Sequence, residues 1–314
     1  MKFHLDAEEW ARRLSLGDRQ ALSRAITLAE SSLEKDQEMA SRLFAALPKP
    51  MENSLRIGVT GAPGAGKSSL IEAVGLRLCS QGHRVAVLTL DPSSTVHGGS
   101  LLGDKTRMHE LSHHPASYVR PTPSGGVLGG IGIATFSALT LCEAAGFEIL
   151  FVETVGTGQS EYSVIDVTDV TLLVMDPGSG DGVQMLKKGL LEHVDWIAIS
   201  KADGERRSQA EALHIEFLNS PSSRPVLLTS QEDEAVINQW ARRIQEHRQT
   251  SGNLRLRRHE QAQKAFRWTF EQMLIQQLRA NPEVDGESVL FAESNTLSPQ
   301  LVTHAAQTLI RRLI

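Results

Sequence analysis

A glycine-rich stretch near the start of the chain carries the residue types that bind phosphate. Residues 61–68 read Gly-Ala-Pro-Gly-Ala-Gly-Lys-Ser, which is the G-x-x-x-x-G-K-[ST] pattern of a P-loop. The glycines let successive backbone N–H groups point at phosphate oxygens, Lys67 reaches the β- and γ-phosphates, and the Ser68 hydroxyl can bind Mg²⁺. The sequence therefore predicts a nucleoside triphosphate site, whose expected phosphate-binding residues are Gly61, Ala62, Pro63, Gly64, Ala65, Gly66, Lys67, Ser68 and Ser69.

Acidic side chains after later apolar runs are candidates for the metal that accompanies a triphosphate. Asp91 and Glu153 each end an apolar run, and a carboxylate at a strand end beside a P-loop can bind Mg²⁺ directly or through water. Asp104 lies in the glycine-rich segment 93–108, which fits a loop that orders on the γ-phosphate. An ordinary capping or turn aspartate is the alternative for Asp91. The predicted Mg²⁺ ligands are Ser68, Asp91, Asp104 and Glu153.

The residues that follow Glu153 form a second phosphate-sensing element. Glu153 precedes Gly156 by three positions, as in the D-x-x-G element of GTPases with Glu in place of Asp. The carboxylate would hold a Mg²⁺-bound water, and the Gly156 N–H would meet the γ-phosphate. Gln159 is a candidate for positioning the attacking water. The alternative is a strand-end glutamate followed by an ordinary turn.

A later strand end carries a candidate base-reading element. Residues 200–203 read Ser-Lys-Ala-Asp, close to the [NT]-K-x-D element of GTPases with serine at the first position. Asp203 can accept hydrogen bonds from guanine N1–H and the exocyclic amine, donors that adenine lacks at those positions. Lys201 would lay its aliphatic stem over the base, and Ser230 can add a contact. The element favours GTP over ATP.

Two further clusters have both functional and ordinary interpretations. The segment 177–189 indicates another mobile loop, and its Lys187 and Lys188 could reach phosphate or a partner. A lysine pair on a helix surface is an equally good interpretation. His109 and His113 have the i,i+4 spacing of helical metal ligands. We favour surface histidines, since no cysteine accompanies them.

The order of elements that must position these residues predicts an α/β fold. Apolar runs alternate with helical patterns, which favours a mostly parallel sheet flanked by helices, as in a P-loop NTPase. The predicted strands are 55–60, 84–90, 148–153, 170–175, 196–200 and 225–229, and the predicted helices include 67–80, 131–145, 183–192, 208–218 and 233–247. The predicted division is an N-terminal helical extension (1–50), a P-loop GTPase domain (51–250) and a C-terminal helical arm (251–314).

Composition narrows the classes of partner and compartment. The net charge of −5 over 314 residues favours neither nucleic acid nor an anionic membrane surface. No run approaches the roughly 18 apolar residues of a membrane span, and the first residues lack the apolar core of a secretion signal. Cys79 and Cys142 are expected to be buried reduced thiols. We therefore expect a cytoplasmic protein without nucleic-acid or membrane partners.

Taken together, these loops are similar to those of the methylmalonyl-CoA mutase-associated GTPases, the MeaB/ArgK-like family. The matching stretches are GAPGAGKSS (61–69), DPSS (91–94), GGSLLGDKTRM (98–108), RPTPSGGVLGG (120–130), ETVGTGQSE (153–161), KKG (187–189), SKADG (200–204) and LSP (297–299). They are distributed over most of the chain from residue 61 on. Three departures are Ser200, where the family usually has Asn, residues 182–185, which replace a more acidic stretch, and a short region between Asp203 and Pro225.

The resemblance implies a homodimeric Mg²⁺-dependent GTPase that acts as a chaperone for a cobalamin-dependent acyl-CoA mutase, such as methylmalonyl-CoA mutase. It would gate cofactor loading and protect the mutase. The resemblance implies phosphate and Mg²⁺ binding by Gly64, Gly66, Lys67 and Ser68, a metal surrounded by Asp91, Asp104 and Glu153, guanine reading by Lys201 and Asp203, and a third switch that holds Lys187 and Lys188. Together with the motif analysis above, the predicted catalytic residues are Lys67, Glu153, Gln159 and Lys188, and the predicted guanine-binding residues are Ser200, Lys201, Asp203 and Ser230.

Two other functions remain open at this point. A nickel- or cobalt-insertion GTPase would have the same fold, but it is expected to carry a histidine-rich tract or a Cys-His site. A small-molecule kinase or transport ATPase would need an acceptor-binding lid and an aspartate base, and the sequence offers neither in a recognisable context. Turnover of GTP without an acceptor would separate the kinase from the GTPase.

Overall fold

The fold comes from a computed structural model of the chain. It describes residues 6–48, 53–91, 108–123, 133–156, 164–178, 190–219, 224–230, 233–250 and 254–279. The chain divides into two units, Met1–Arg258 and His259–Ile314. The first unit holds the sheet and all of the site residues described below.

A seven-stranded parallel sheet forms the centre of the first unit, with strand order β3-β2-β4-β1-β5-β6-β7. The strands are Leu55–Thr60 (β1), Val85–Asp91 (β2), Ser117–Pro123 (β3), Ile149–Glu153 (β4), Val170–Met175 (β5), Trp196–Ile199 (β6) and Val226–Leu228 (β7). Every residue of β1, β4, β5 and β6 is buried. Such continuous burial is typical of parallel strands that are covered on both faces.

Helices cover both faces of this sheet. The helices of the first unit are Ala7–Ser15 (α1), Arg19–Glu30 (α2), Glu34–Ala46 (α3), Lys67–Ser80 (α4), His109–His113 (α5), Ile133–Ala144 (α6), Arg207–Leu218 (α7) and Glu234–Thr250 (α8). A further helix, Leu254–Arg279 (α9), begins in the first unit and continues into the second. On one face Ala86 and Leu88 of β2 pack in the same core as α1, α2 and α6. On the other, Val85 and Val87 pack in the same core as α4 and α8. Successive side chains of β2 therefore point to opposite faces of the sheet and are buried in two different cores.

The fold class predicted from the sequence is confirmed, and one strand is an addition. Each predicted strand is present to within one residue at either end. The sequence analysis missed β3, whose residues 117–123 read Ser-Tyr-Val-Arg-Pro-Thr-Pro. Its two prolines argue against a central strand, but β3 lies at the edge of the sheet and pairs with β2 alone among the described strands. Edge strands tolerate proline because one side needs no ladder of hydrogen bonds.

Of the predicted helix 183–192, only residues 190–192 are described. They belong to a short 3₁₀ turn, Leu190–His193. Similar turns occur at Val164–Asp166 and Gly204–Arg206. The predicted helix 131–145 is observed as α6, with Cys142 buried in it, and Cys79 is buried in α4. Burial raises the pKa of Cys79 to about 11, so this thiol stays protonated and inert, as expected.

The three N-terminal helices belong to the core of the nucleotide-binding unit. Asp6 and Asp18 cap α1 and α2 by accepting backbone N–H bonds. The apolar side of each of these amphipathic helices is buried. Trp10, for example, is 1% exposed and donates its indole N–H to the Ala21 carbonyl at 3.1 Å. The predicted N-terminal extension, residues 1–50, thus contributes three helices whose buried apolar residues pack in the same core as β2 and α6.

A buried ion network ties the start of α9 to the amino end of the sheet. Glu143 of α6 accepts hydrogen bonds from Arg56 of β1 at 2.6 and 2.9 Å and from Ser54 at 2.6 Å. Arg258 donates to Asp169 at 2.5 Å and lies 3.4 Å from Glu143. Burial alone would raise the pKa of Glu143, but the guanidinium groups of Arg56 and Arg258 outweigh it and hold that pKa below its ordinary value of 4.5.

We expect Glu143→Gln to lower the free energy of unfolding at pH 7 by about 2–3 kcal/mol, because two guanidinium groups would lose a buried countercharge. Urea denaturation measures this. A depressed folded-state pKa adds stability above the unfolded pKa, so the difference between the wild type and Glu143→Gln should shrink as the pH falls below about 4.5. The control is Glu9→Gln, because Glu9 forms an exposed ion pair with Arg12. If the control lost as much free energy of unfolding as Glu143→Gln, burial of the ion pair would not be the cause.

The second unit begins within α9. Phe266 and Phe270 of this unit are 72% and 59% exposed, and their rings stack with centroids 6.4 Å apart. Among the described helices, none is both long and apolar enough to cross a bilayer.

Candidate functional site

Sheet topology brings the sequence motifs to one edge of the sheet. β1 leads into the P-loop and lies between β4, which ends at Glu153, and β5. β6 follows β5 in the sheet and leads directly into residues 200–203. Because the strands are parallel, all these loops leave from the same carboxyl edge, where ligands bind in open α/β sheets.

The P-loop backbone needs glycine at its first position. Gly61 has φ +142°, and a Cβ there would lie 2.1 Å from the Val174 carbonyl oxygen of β5. The loop therefore packs against the neighbouring strand more closely than any side chain allows. Gly66, at φ +93°, precedes the first residue of α4, so the amino end of that helix opens towards the loop. Its free N–H groups and positive dipole end suit a phosphate.

Lys67 is held over this loop. It is 6% exposed, and its ammonium group donates to the carbonyl oxygens of Gly61 at 2.7 Å and Ala62 at 2.8 Å. The lysine thus extends from the helix start across the whole curl of the backbone. Neutral carbonyls are weaker partners for an ammonium group than phosphate oxygens are, so a triphosphate could displace them.

A hydroxyl and a carboxylate meet beside the loop. Ser68 donates to the Glu153 carboxylate at 2.5 Å, and Glu153 is 8% exposed. Asp91 ends β2, the strand next to β4. Mg²⁺ is commonly bound by one or two carboxylates, a hydroxyl and phosphate oxygens, with water completing the octahedron. The oxygen donors present fit that ion, and no described group of three or more His, Cys, Asp or Glu forms a metal cluster of another kind.

Gly156 presses against the P-loop from the β4 side. Its φ is +84°, and a Cβ there would lie 2.7 Å from the Gly61 carbonyl oxygen and 2.8 Å from Pro63. The E-x-x-G element predicted from the sequence therefore touches the phosphate loop directly. A side chain at this position would push the two apart.

These groups line a cavity of about 600 Å³. Eleven residues from the P-loop, the start of α4 and the ends of β2 and β4 form its wall: Pro63, Gly64, Gly66, Lys67, Ser68, Ser69, Thr89, Leu90, Glu153, Thr154 and Val155. Ala65 is buried beneath the loop. The predicted phosphate-binding residues are thus gathered in one place.

Asp203 and Ser230, two of the four base-reading candidates, line a second cavity of about 600 Å³. Residues 202–204, Ser230, Asp233 and the first residues of α7 and α8 form its wall: Ala202, Asp203, Gly204, Arg207, Ser230, Asp233, Glu234 and Ala235. Ser230 donates its hydroxyl proton to Asp203 Oδ2 at 2.7 Å, which leaves the other carboxylate oxygen available to a ligand. Ser230 therefore orients the predicted base reader.

Ser200 lies close to the P-loop. Its backbone N–H and its hydroxyl both donate to the Met175 carbonyl of β5, at 2.8 and 3.0 Å. A Cβ added at Gly66 would lie 3.5 Å from the Ser200 Cβ, an ordinary van der Waals distance. The start of the base-reading element is therefore close enough to the P-loop for one ligand to reach both.

Asp176 is a site residue that the sequence analysis missed. It follows β5 and accepts from Lys201 at 2.5 Å and from Arg206 at 2.9 Å. Burial would raise the pKa of Asp176, but hydrogen bonds from Lys201, the Gly178 amide and Arg206 hold it below the ordinary value. The position of Asp176 at a strand end was the available signal, since the same signal identified Asp91 and Glu153.

Several predicted residues lie outside the described residues. They are Asp104, Gln159, Lys187 and Lys188, together with the side chain of Asp91. Their roles stay predictions. The rings of His109 and His113 in α5 are tilted by 39° with centroids 4.5 Å apart, and His113 Nδ1 lies 2.7 Å from the His109 carbonyl oxygen.

Comparison with known proteins agrees with this geometry. A family model described as "Methylmalonyl Co-A mutase-associated GTPase MeaB" matches residues 22–283. The chain is 39% identical to "GTPase ArgK" of Escherichia coli over 93% of each protein. It is 38% identical to "Methylmalonic aciduria type A homolog, mitochondrial" of Mus musculus, over 94% of this chain and 76% of that one. A crystal structure named "LAO/AO transport system kinase" superposes with a TM-score of 0.74 at 30% identity, covering 98% of this chain and 99% of that one.

Proposed function

Since the chain belongs to the MeaB family of methylmalonyl-CoA mutase-associated GTPases, we propose that it is a Mg²⁺-dependent GTP switch and a chaperone for a cobalamin-dependent acyl-CoA mutase. In this role it gates cofactor loading and protects the mutase. The observation that carries the proposal is the short distance between the P-loop and the base-reading element: a Cβ added at Gly66 would lie 3.5 Å from the Ser200 Cβ. It supports one guanine nucleotide spanning both cavities.

Each group at the phosphate end has a defined task in this proposal. Lys67 binds the β- and γ-phosphates, and the N–H groups at the start of α4 bind phosphate oxygens. Ser68 and Glu153, with Asp91, would hold the metal, which would neutralise charge on the phosphates. The Gly156 N–H would meet the γ-phosphate, and Gln159 or Lys188 would position the attacking water.

The base end supplies the preference for guanine. Asp203 lies in the second cavity with one oxygen held by Ser230. That arrangement leaves an acceptor for the N1–H and exocyclic amine of guanine, whereas adenine would leave a desolvated carboxylate unpaired.

The loops that contact the γ-phosphate would transmit hydrolysis to a partner. Gly156 packs on the P-loop at the start of the segment 154–161, so loss of the γ-phosphate would release it. The strands that precede the segments 93–108 and 177–189, β2 and β5, end at the same edge of the sheet. We assign the partner surface to these three segments. We further propose a cytoplasmic homodimer, with residues 251–314 as the dimerisation or docking arm.

We expect the protein to bind a cobalamin-dependent acyl-CoA mutase with affinities that differ by about 5- to 150-fold between a non-hydrolysable GTP analogue and GDP, the usual range of coupling between sites. Calorimetric titration of the mutase into each nucleotide complex measures this. By reciprocity, the mutase should change the affinity for the analogue by the same factor.

The control is an acyl-CoA enzyme without cobalamin, which should not bind in either state. Wild-type protein that hydrolyses GTP but binds no such mutase with any nucleotide would show that the client is misassigned. The GTPase itself would then stand.

A further inference from the structure

Asp176 holds the side chain of the predicted base-reading lysine in one place. Its carboxylate accepts from the Lys201 ammonium group at 2.5 Å, from Arg206 Nη1 at 2.9 Å to each oxygen, and from the Gly178 N–H at 3.0 Å. The Asp176 side chain is 9% exposed, whereas that of Lys201 is 38% exposed. A buried anion thus anchors the tip of a half-exposed lysine.

The backbone at Lys201 is also fixed in an unfavourable conformation. Its φ is +55°, the only positive value at a described residue other than glycine. Such a conformation persists where the surroundings over-determine it, often at ligand sites. Here Ser200 N–H donates to Met175 at 2.8 Å, and Ala202 N–H donates to Thr229 at 3.2 Å. Hydrogen bonds thus hold both neighbours of Lys201, one to the last residue of β5 and the other to the residue after β7.

A free lysine side chain samples many rotamers, and ordering it on binding lowers affinity. A lysine fixed at both its backbone and its ammonium group has already lost that freedom. Its stem of four methylene groups is then a preformed apolar surface, two positions before Asp203, the proposed reader of the base edge.

We infer that Asp176 is a positioning residue that holds the Lys201 stem against the face of the guanine base, and so raises affinity for guanine nucleotides without reading the base edge. This inference rests on the proposed function. The face and the edge of the base are contacted by different residues, so the two contributions are separable.

The test uses the full chain and two nucleotides that share a face but differ at the edge. IDP lacks the exocyclic amine of GDP, so the ratio of the GDP and IDP dissociation constants reports the Asp203 contact. We expect Asp176→Ala to lower the affinity for both GDP and IDP by about tenfold, because the Lys201 side chain would lose its ion-pair partner. The ratio should stay at its wild-type value.

The matched control is Glu211→Ala. Glu211 forms an ion pair with Arg207 at 2.9 Å, and Arg207 lines the cavity that also contains Asp203. The control removes an exposed carboxylate from a cation beside the base site, and we expect it to change both dissociation constants less than about twofold. Thermal melts of each variant without nucleotide verify folding.

A double-mutant cycle gives the second readout. If Asp176 acts through Lys201, Asp176→Ala should have no further effect on GDP affinity in a Lys201→Ala background. Additive losses would overturn the inference, as would an unchanged affinity in the single variant. A fall in the ratio of GDP to IDP affinity would instead show that Asp176 supports the whole loop, including Asp203. Absence of GDP binding by the wild type would reject the proposed function itself.

Discussion

Replacing Lys67 with alanine is expected to lower the rate of GTP hydrolysis by about a hundred- to a thousandfold, the usual cost of removing one preorganised donor from a developing negative charge. The fold should persist. The hydrogen bonds that Lys67 makes to Gly61 and Ala62 fall within the loop itself, and alanine favours the helix that begins at this position.

Phosphate release with GTP in excess measures the rate, and circular dichroism with a thermal melt verifies the fold. Lys35→Ala, at an exposed position of α3, is the matched control and should hydrolyse GTP at the wild-type rate. Comparable turnover by Lys67→Ala and the wild type would show that this loop is not the catalytic phosphate site.

The parts of the fold that depend on local pattern were predictable from the sequence. The run 55–60 is apolar and precedes a P-loop, and helical spacing begins at Lys67; the structure has β1 and α4 at those positions. Strand order, by contrast, cannot be predicted from any local sequence pattern. β4 lies beside β1 and β2 only because three sections of chain far apart in sequence bury one another.

The partners of side chains that pair over long sequence distances could not be predicted. Asp176 meets Lys201 across 25 positions, and Arg258 meets Ser54 across 204. Nothing near either residue in the sequence indicates its partner. Such pairs form only where the folded strands bring the two residues together.

The candidate site divides in the same way. The P-loop and the base-reading element are short motifs, because phosphate and guanine are bound by contiguous backbone and neighbouring side chains. The short distance between Gly66 and Ser200 depends on the pairing of β1 with β5 and of β5 with β6. The sequence motifs predict one GTP bound by both elements, and the distance between the two elements comes only from the fold.

We expect Asp203→Asn to shift the nucleotide preference of the protein from guanine to xanthine. Ser230 donates to Asp203 Oδ2 at 2.7 Å. In the variant the side-chain oxygen of asparagine would accept that bond, and its amide would turn towards the base. An amide donates to the 2-oxo group of xanthine, which a carboxylate repels. Guanine would meanwhile lose its charged acceptor and face a like donor.

Sites built around a specific polar partner reject the wrong one by large factors, because a buried polar group is then left unpaired. We therefore expect the ratio of GTP to XTP affinity to fall by about a thousandfold or more in Asp203→Asn. Competition among GTP, XTP and ATP measures it, with Glu211→Gln as the control that removes a nearby exposed charge. Equal competition by ATP and GTP in the wild type would refute the base-reading role of Asp203. A fall in affinity for every nucleotide, without a gain for XTP, would mean that Asp203 supports the loop rather than reads the base.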